Sequence, residues 1–386
     1  MNLTTPDKPS IAVLPFINMS GDKKQEYFSD GLTEDLIIDL SKVSRLFVIA
    51  RNSVFFYKNN PVKIGKIGQD LGVKYILEGS VRKMGTRVRI TAQLIDSKTE
   101  GHIWAERYDR DVRDIFTLQD EVREKIITAL AVQMTQDDKK RGITKDTGNL
   151  EAYDAYLKAK EICNTTDGGL TQCRLQLQKA IRLDPLFAKA YAAMGKTFFK
   201  QWILGPDKDP AILNKVFEWG QKAIKINPDE PSGYSILAHY YLWTKQHELG
   251  IDEIRKAIAL DPNNPELLAV YGELLTHSNQ PEQGIILYEK AMRLDPKVPV
   301  GYIFDLGHAY SLTQDYEKTI PTLEKAVEMD PDFWPSYLLL AAAYDAKGMK
   351  EKSRNTLKKA LKKTKIFPMK TGTSCCPIKI RRLENK

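Results

Sequence analysis

The side chains that could do chemistry are few and scattered. Five histidines (His102, His239, His247, His277 and His308) and four cysteines occur in 386 residues. No spacing among them forms a paired Cys-x-x-Cys or His-Glu-x-x-His, so neither a zinc site nor a disulfide framework is expected. Cys163 and Cys173 read as small core residues, and Cys375-Cys376 lie in a basic tail. No glycine-rich phosphate loop, dinucleotide fingerprint, EF-hand or Gly-x-Ser-x-Gly elbow is present. Clustered carboxylates at Asp30, Glu34 and Asp35 read as a solvated helix start, because adjacent acids on a helix point apart. Asp109-Arg110-Asp111 reads as an exposed turn. The strings Glu78-Gly79-Ser80 and Trp104-Ala105-Glu106-Arg107-Tyr108 read as strand, with the Trp anchoring core beside an Arg–Glu pair. The expectation is a protein with no catalytic centre, no cofactor and no metal.

Composition bounds the class. The chain is 42% hydrophobic, 28% charged and 9% aromatic, which is ordinary for a folded protein of two or three domains. No apolar run approaches the roughly 18–20 residues of a bilayer span, and no secretory leader is visible, so a cytoplasmic location is expected. The net charge of +8 is unevenly placed: residues 346–386 hold 14 Lys/Arg against two acids, leaving the remainder at −4. A basic tail can bind nucleic acid weakly; a solvated cap helix with a loose end explains it more simply.

What must position any binding residues is a repeat. Ala180-Ile-Arg-Leu-Asp-Pro185 recurs as Ala223–Pro228, Ala257–Pro262, Ala291–Pro296 and Ala326–Pro331, the prolines lying 43, 34, 34 and 35 residues apart. A decayed copy ends at Pro368. Within units, apolar residues recur at i, i+3 and i+7, as in Leu268, Tyr271 and Leu275, which lays them on one helical face. Small residues (Gly195, Ala238, Gly272, Gly307, Ala341) admit a closely packed second helix, and Asp/Asn-Pro ends it. A period of 34 with this interior resembles the tetratricopeptide repeat, two antiparallel helices per unit. No unit buries its apolar face alone, so a solenoid follows. The extra nine residues of the first interval are assigned to a longer connection at residues 201–210.

Residues 10–132 alternate strand and helix. Strands are expected at 11–16, 46–50, 75–83, 87–95 and 103–108, and helices at 24–43, 64–71 and from Asp114 as N-cap. The fold class is therefore an α+β N-terminal domain, a mixed sheet with helices, followed by an all-α solenoid. The expected organisation is an arm at 1–9, the α/β domain at 10–132, a linker at 133–149, the repeat array at 150–365 and a disordered basic tail at 366–386.

The strings IAVLPFINMSGDKKQEYFSDGLTEDLIIDLSKVSRLFVIARNSVFFYK, IGQDLGVKYILEGSVRKMGTRVRITAQLID and HIWAERYDRDVRDIFTLQDEV resemble the TolB-like N-terminal module of bacterial proteins that continue into tetratricopeptide arrays. That resemblance implies a module often preceded by a class III adenylate cyclase or a winged-helix DNA-binding domain, usually across a transmembrane helix. This chain starts at the module's edge, as expected of a stand-alone or truncated member. Resemblance to peptide-binding arrays places Lys189, Lys196, Phe199, Lys200, Ser232, His239, Trp243, Glu266, Glu273, His277, Phe304 and His308 on the concave face. The Lys/Asn set with which chaperone-binding members clamp a C-terminal carboxylate is missing. The expected function is a non-catalytic interaction scaffold whose groove takes a protein or peptide segment, with the N-terminal module as a second docking or sensing unit. The alternative is the regulatory part of a cyclase-type signalling protein.

Overall fold

The sheet begins with a buried run, Ser10–Val13 (β1), whose four residues are all inaccessible. Such a strand needs cover on both faces, and parallel neighbours supply it. In the computed structural model β1 lies between Phe47–Val48 (β3) and Tyr75–Met84 (β4), parallel to both. The short strand Ile17–Asn18 (β2) runs on along the same edge of β4. Arg87–Asp96 (β5) and His102–Asp111 (β6) then complete an antiparallel meander, giving the order β3-β1-β4-β5-β6. The structure describes residue 3 and residues 5–141, 147–164, 169–204 and 208–364.

Helices Glu26–Ser41 (α1) and Ile115–Ala129 (α4) pack against the sheet and each other, where Phe16, Leu32, Leu36, Ile90, Leu118 and Val122 meet. Between β3 and β4 lie Arg51–Phe55 (α2) and Ile64–Leu71 (α3). Helix α3 closes at Gly72, whose φ of 63° is the left-handed turn that glycine adopts without steric cost. Several local expectations are corrected. Asp109-Arg110-Asp111 belongs to strand β6. Asp114 makes no side-chain cap bond; Asp111 caps instead, accepting from Arg113 N. Glu34 and Asp35 sit mid-helix, not at a solvated start, and Asp35 is buried. Helix α2 and strand β2 were not expected, because neither is long enough to show a period.

Gln136–Arg141 (α5) falls in the stretch read as a linker. Asp138 there is buried and accepts from Ser44 N (3.0 Å) and Thr135 N (2.8 Å).

Six helical hairpins follow: Leu150–Asn164 with Gly169–Leu183 (α6, α7), Ala188–Leu204 with Pro210–Ile226 (α8, α9), and Pro231–Trp243 with His247–Leu260 (α10, α11). Then come Pro265–His277 with Pro281–Leu294 (α12, α13), Val300–Leu312 with Tyr316–Met329 (α14, α15), and Trp334–Ala346 with Lys350–Thr364 (α16, α17). The turn inside each of the last four hairpins holds one left-handed residue: Lys245, Asn279, Gln314 and Gly348. The longer second unit spends its extra residues partly on helix, since α8 and α9 have 17 residues each against 13 or 14 in the next three units.

The small positions work as expected. A Cβ on Gly307 would come within 2.6 Å of Leu323 Cδ2, so the paired helices touch at that point. The cysteine expectation is corrected: Cys163 and Cys173 form a disulfide across the first hairpin. Cys375, Cys376 and the rest of the tail lie outside the described residues.

Leu323 is fully buried between α14, α15 and α16, so its truncation leaves a cavity. We expect Leu323→Ala to lower the unfolding free energy by about 2–5 kcal/mol in urea titration.

Candidate functional site

The array and the sheet domain are joined through the repeat's own corners. Helix α1 ends at Ser41, whose Oγ donates to Asp261 Oδ1 (2.7 Å). Asn263, two residues on, donates to the carbonyls of Ser41 (2.8 Å) and Val43 (3.1 Å) and accepts from Lys8 Nζ (3.2 Å). One repeat later, Asp295 accepts from Ser53 Oγ (2.5 Å) and Asn52 Nδ2 (3.1 Å) at the start of α2. Backbone amides bridge there as well: Ala50 N donates to Leu294 O (2.9 Å) and Lys297 N to the side chain of Ser53 at Oγ (2.8 Å). Arg293 donates to the carbonyls of Leu71 and Gly72 and lies over the Phe47 ring. Asp261 and Asp295 are each 1% exposed. Burial pushes both carboxyl groups up, against the hydrogen bonds from Ser41 and Asn264 at one and from Ser53 and Asn52 at the other.

A second seam runs along α1 and α6. Tyr153 donates to Asp35, Gln119 Nε2 donates to the same carboxylate (3.1 Å), and Tyr27 donates to Asp154. Gly31 faces Leu157 so closely that a Cβ there would lie 2.5 Å from Cδ2. Glu34 meets Lys160 (2.7 Å) and Arg51 (3.2 Å). Burial raises the Glu34 carboxyl, but the two cations outweigh it and hold it below the usual range.

Between these seams the two parts leave a cavity of about 530 Å³. Its floor is α1 (Glu34, Ile38, Ser41, Lys42) and the start of α2; its walls are α6, α8, α10 and the start of α12. Seven of the twelve expected concave residues line it: Lys189, Lys196, Phe199, Lys200, Ser232, His239 and Glu266. Lys189 is buried. Lys196 pairs with Glu266 (2.5 Å), and Lys200 donates to Cys163 O (2.7 Å). The Lys196 charge holds the Glu266 carboxyl low. His239 donates from Nδ1 to Ser235 O (2.8 Å) and lies 4.5 Å from the Phe199 ring; burial lowers its pKa. Arg51, Lys160 and Glu34 of the cavity wall were not among the expected site residues. Their participation depends on how the domains dock, which no local pattern encodes.

The other five lie further along the array. Trp243 packs on Trp202, with ring centres 4.6 Å apart. His277 lies between His247 (6.0 Å) and His308 (5.7 Å), and Phe304 packs on Phe333 (5.4 Å). Among the described residues no group of three or more His, Cys, Asp or Glu could hold a metal ion. Burial lowers His277, and it takes His308 down to about 4. It also raises Glu273 to about 7 and Asp305 well above the usual range, the latter helped by the Glu273 charge.

The HilA/YgeH-like transcriptional regulator second domain matches residues 7–125, and the tetratricopeptide repeat matches residues 300–333 and 335–362. The helical half contains tetratricopeptide repeats. The N-terminal domain is HilA-like. A curated relative, "Putative adenylate cyclase 3" of Rhizobium meliloti (strain 1021), is 44% identical over 246 residues, which are 62% of this chain and 41% of the relative. The chain thus spans about two-fifths of that relative's length. Among solved structures, MamA is similar at 22% identity and a TM-score of 0.36, over 41% of this chain and 92% of that one. YrrB, described as a TPR protein with an unusual peptide-binding site, is similar at 18% identity and a TM-score of 0.36, over 48% and 91%.

Two outcomes follow from these contacts. Asp295→Ala strands the Ser53 and Asn52 donors, and we expect a loss of about 1–3 kcal/mol in urea unfolding. Asp330→Ala, at the same repeat position but on a corner away from the sheet domain, should cost less than half of that. A carboxyl raised in the folded state stabilises most when protonated, so the Glu273 contribution falls as pH rises through about 7. Glu273→Gln should therefore raise the melting temperature relative to wild type at pH 8 and leave it unchanged at pH 4. The lowered His277 and His308 act oppositely, losing stability as pH falls below about 6.5, and they are common to both proteins.

Proposed function

We propose that the chain is a non-catalytic interaction protein. Its partner's segment enters the cleft between the sheet domain and the concave face of the array. The observation that carries this reading is the cavity itself: about 530 Å³, with an aromatic face at Phe199 and a rim of charged side chains of both signs. That size falls within the roughly 300–1,000 Å³ of sites that take a small ligand or a few residues of chain. Because α1 and α2 occupy the groove's near side, an extended or terminal segment fits the remaining space better than a long helix does. We further propose that the N-terminal domain is a TolB-like module serving as a second docking or sensing unit, since movement of α1 would change the cleft floor.

A second reading draws support from the 44% identity to a relative named for adenylate cyclase and from the match to a transcriptional regulator domain. In it, this chain is the regulatory portion of a longer signalling protein, and its cleft reports partner binding to an output domain. Purified chain given ATP and Mn²⁺ should then form no cyclic AMP; measurable product would contradict both readings.

Lys196 and Lys200 test the cleft directly. Lys196→Glu with Lys200→Glu places two more acids beside Glu266, and we expect capture of partners from lysate to fall at least tenfold. Partners retained unchanged by this variant would remove the cleft from the function.

A further inference from the structure

Strand β6 is the open end of the sheet, paired on one side only, with β5. At its two ends Asp96 N donates to Gly101 O (3.0 Å) and Val112 N donates to Thr86 O (2.7 Å). The Val112 bond and the regular register from Arg87–Asp111 to Leu94–Trp104 fix the alternation, up to the register shift between Leu94 and Ile95 that precedes the Gly101 end: Trp104, Glu106, Tyr108 and Arg110 turn their backbone groups toward β5. Ala105, Arg107 and Asp109 then turn theirs outward. Among the described residues no other segment hydrogen-bonds that outward row; the one bond onto it is from Arg110's own guanidinium to Asp109 O (3.2 Å). A free edge of this length is a template for another strand.

Edges are usually protected by charges that repel a like strand. Here the charges are arranged the other way. Glu106-Arg107-Tyr108-Asp109-Arg110 is a palindrome of opposite signs about Tyr108. We propose that β6 is the interface of a homodimer, two copies pairing their open edges antiparallel about a two-fold axis at Tyr108. In that register Arg107 faces Asp109 of the second copy as a hydrogen-bonded pair, and Glu106 faces Arg110 as a non-hydrogen-bonded pair. Sliding by two residues in one direction sets Arg107 against Arg107. Sliding the other way sets Asp109 against Asp109. The parity of the outward backbone groups excludes shifts that would pair an outward residue with an inward one. The proposed register alone puts opposite charges together on both faces.

The charges are ready in that geometry. Asp109 is held by Arg89 (3.0 Å), Arg110 by Glu121 (3.5 Å) and Glu106 by Lys125 (3.1 Å), all on the surface. A second copy extends each pair into a small network and leaves no like charges directly opposite. Ala105 is exposed and small, so the approaching backbone meets no obstruction there.

Sedimentation equilibrium of the full chain tests this. The expected mass is twice 43.9 kDa in the micromolar range. Arg107→Glu with Arg110→Glu creates four like-charge pairs across the axis and should weaken association by at least about tenfold. The fourfold exchange Glu106→Arg, Arg107→Asp, Asp109→Arg and Arg110→Glu restores the palindrome with signs inverted and should restore the dimer. Ala105→Pro, which removes an outward N–H that β5 does not use, should also give monomer. Far-UV circular dichroism verifies that each variant is folded. A wild-type chain that sediments at 43.9 kDa, or a folded double variant that associates like wild type, overturns the proposal. A folded fourfold variant that stays monomeric overturns the register.

Discussion

Two buried carboxylates hold this molecule in its shape. Asp261 and Asp295 close consecutive second helices of the array, and each is removed from water against a hydroxyl donor of the sheet domain, Ser41 or Ser53. An ionised carboxylate buried without donors is strongly unfavourable, so these corners are stable only when docked. The constraint runs in both directions. It fixes where α1 ends and α2 begins relative to the array, and that placement brings Glu34 and Arg51 beside Lys160. The cleft is what remains between these contacts.

The residues make the difference between helix signal and docking signal visible. All five Asp/Asn-Pro corners carry the same local message, the end of a helix, and all five end one. Asp330 stays at the surface capping its own turn through Asp332 N, while its counterparts at 261 and 295 are buried. Nothing within a repeat distinguishes them, because the distinguishing groups are Ser41 and Ser53, more than 200 residues away. The repeat, the small contact positions, helix α3 and the β4–β5 hairpin were legible because each expresses a period or a turn over several residues. Helix α2, strand β2 and the Cys163–Cys173 disulfide were not, since two to five residues carry no period and two cysteines separated by a helical turnaround carry no pairing signal.

The same limit explains the candidate site. Resemblance to peptide-binding arrays placed Lys189, Lys196, Phe199, Lys200, Ser232, His239 and Glu266 on one concave surface, and the cavity gathers these seven. It could not show that the near side of that surface is occupied by the chain's own α1, which turns an open groove into a cleft of defined volume. Trp243, Glu273, His277, Phe304 and His308 were assigned to the same surface by that resemblance but do not line the cavity. Their environment is the packing of neighbouring hairpins. There burial raises the Glu273 carboxyl and, with a neighbouring histidine, lowers His277 and His308, whereas Lys160 and Arg51 hold Glu34 low against burial and Lys196 holds Glu266 low.

The central claim is that array and sheet domain form one docked body through those corners. The Ala50 amide reports on it alone, because its acceptor, Leu294 O, belongs to the array. Native-state hydrogen exchange should find this amide protected to the same extent as the buried strand amide of Ile49, which bonds within the sheet to Ile11 O. Exchange at Ala50 as fast as in an exposed loop, with Ile49 still protected, would show that the two parts come apart in solution and would contradict the account.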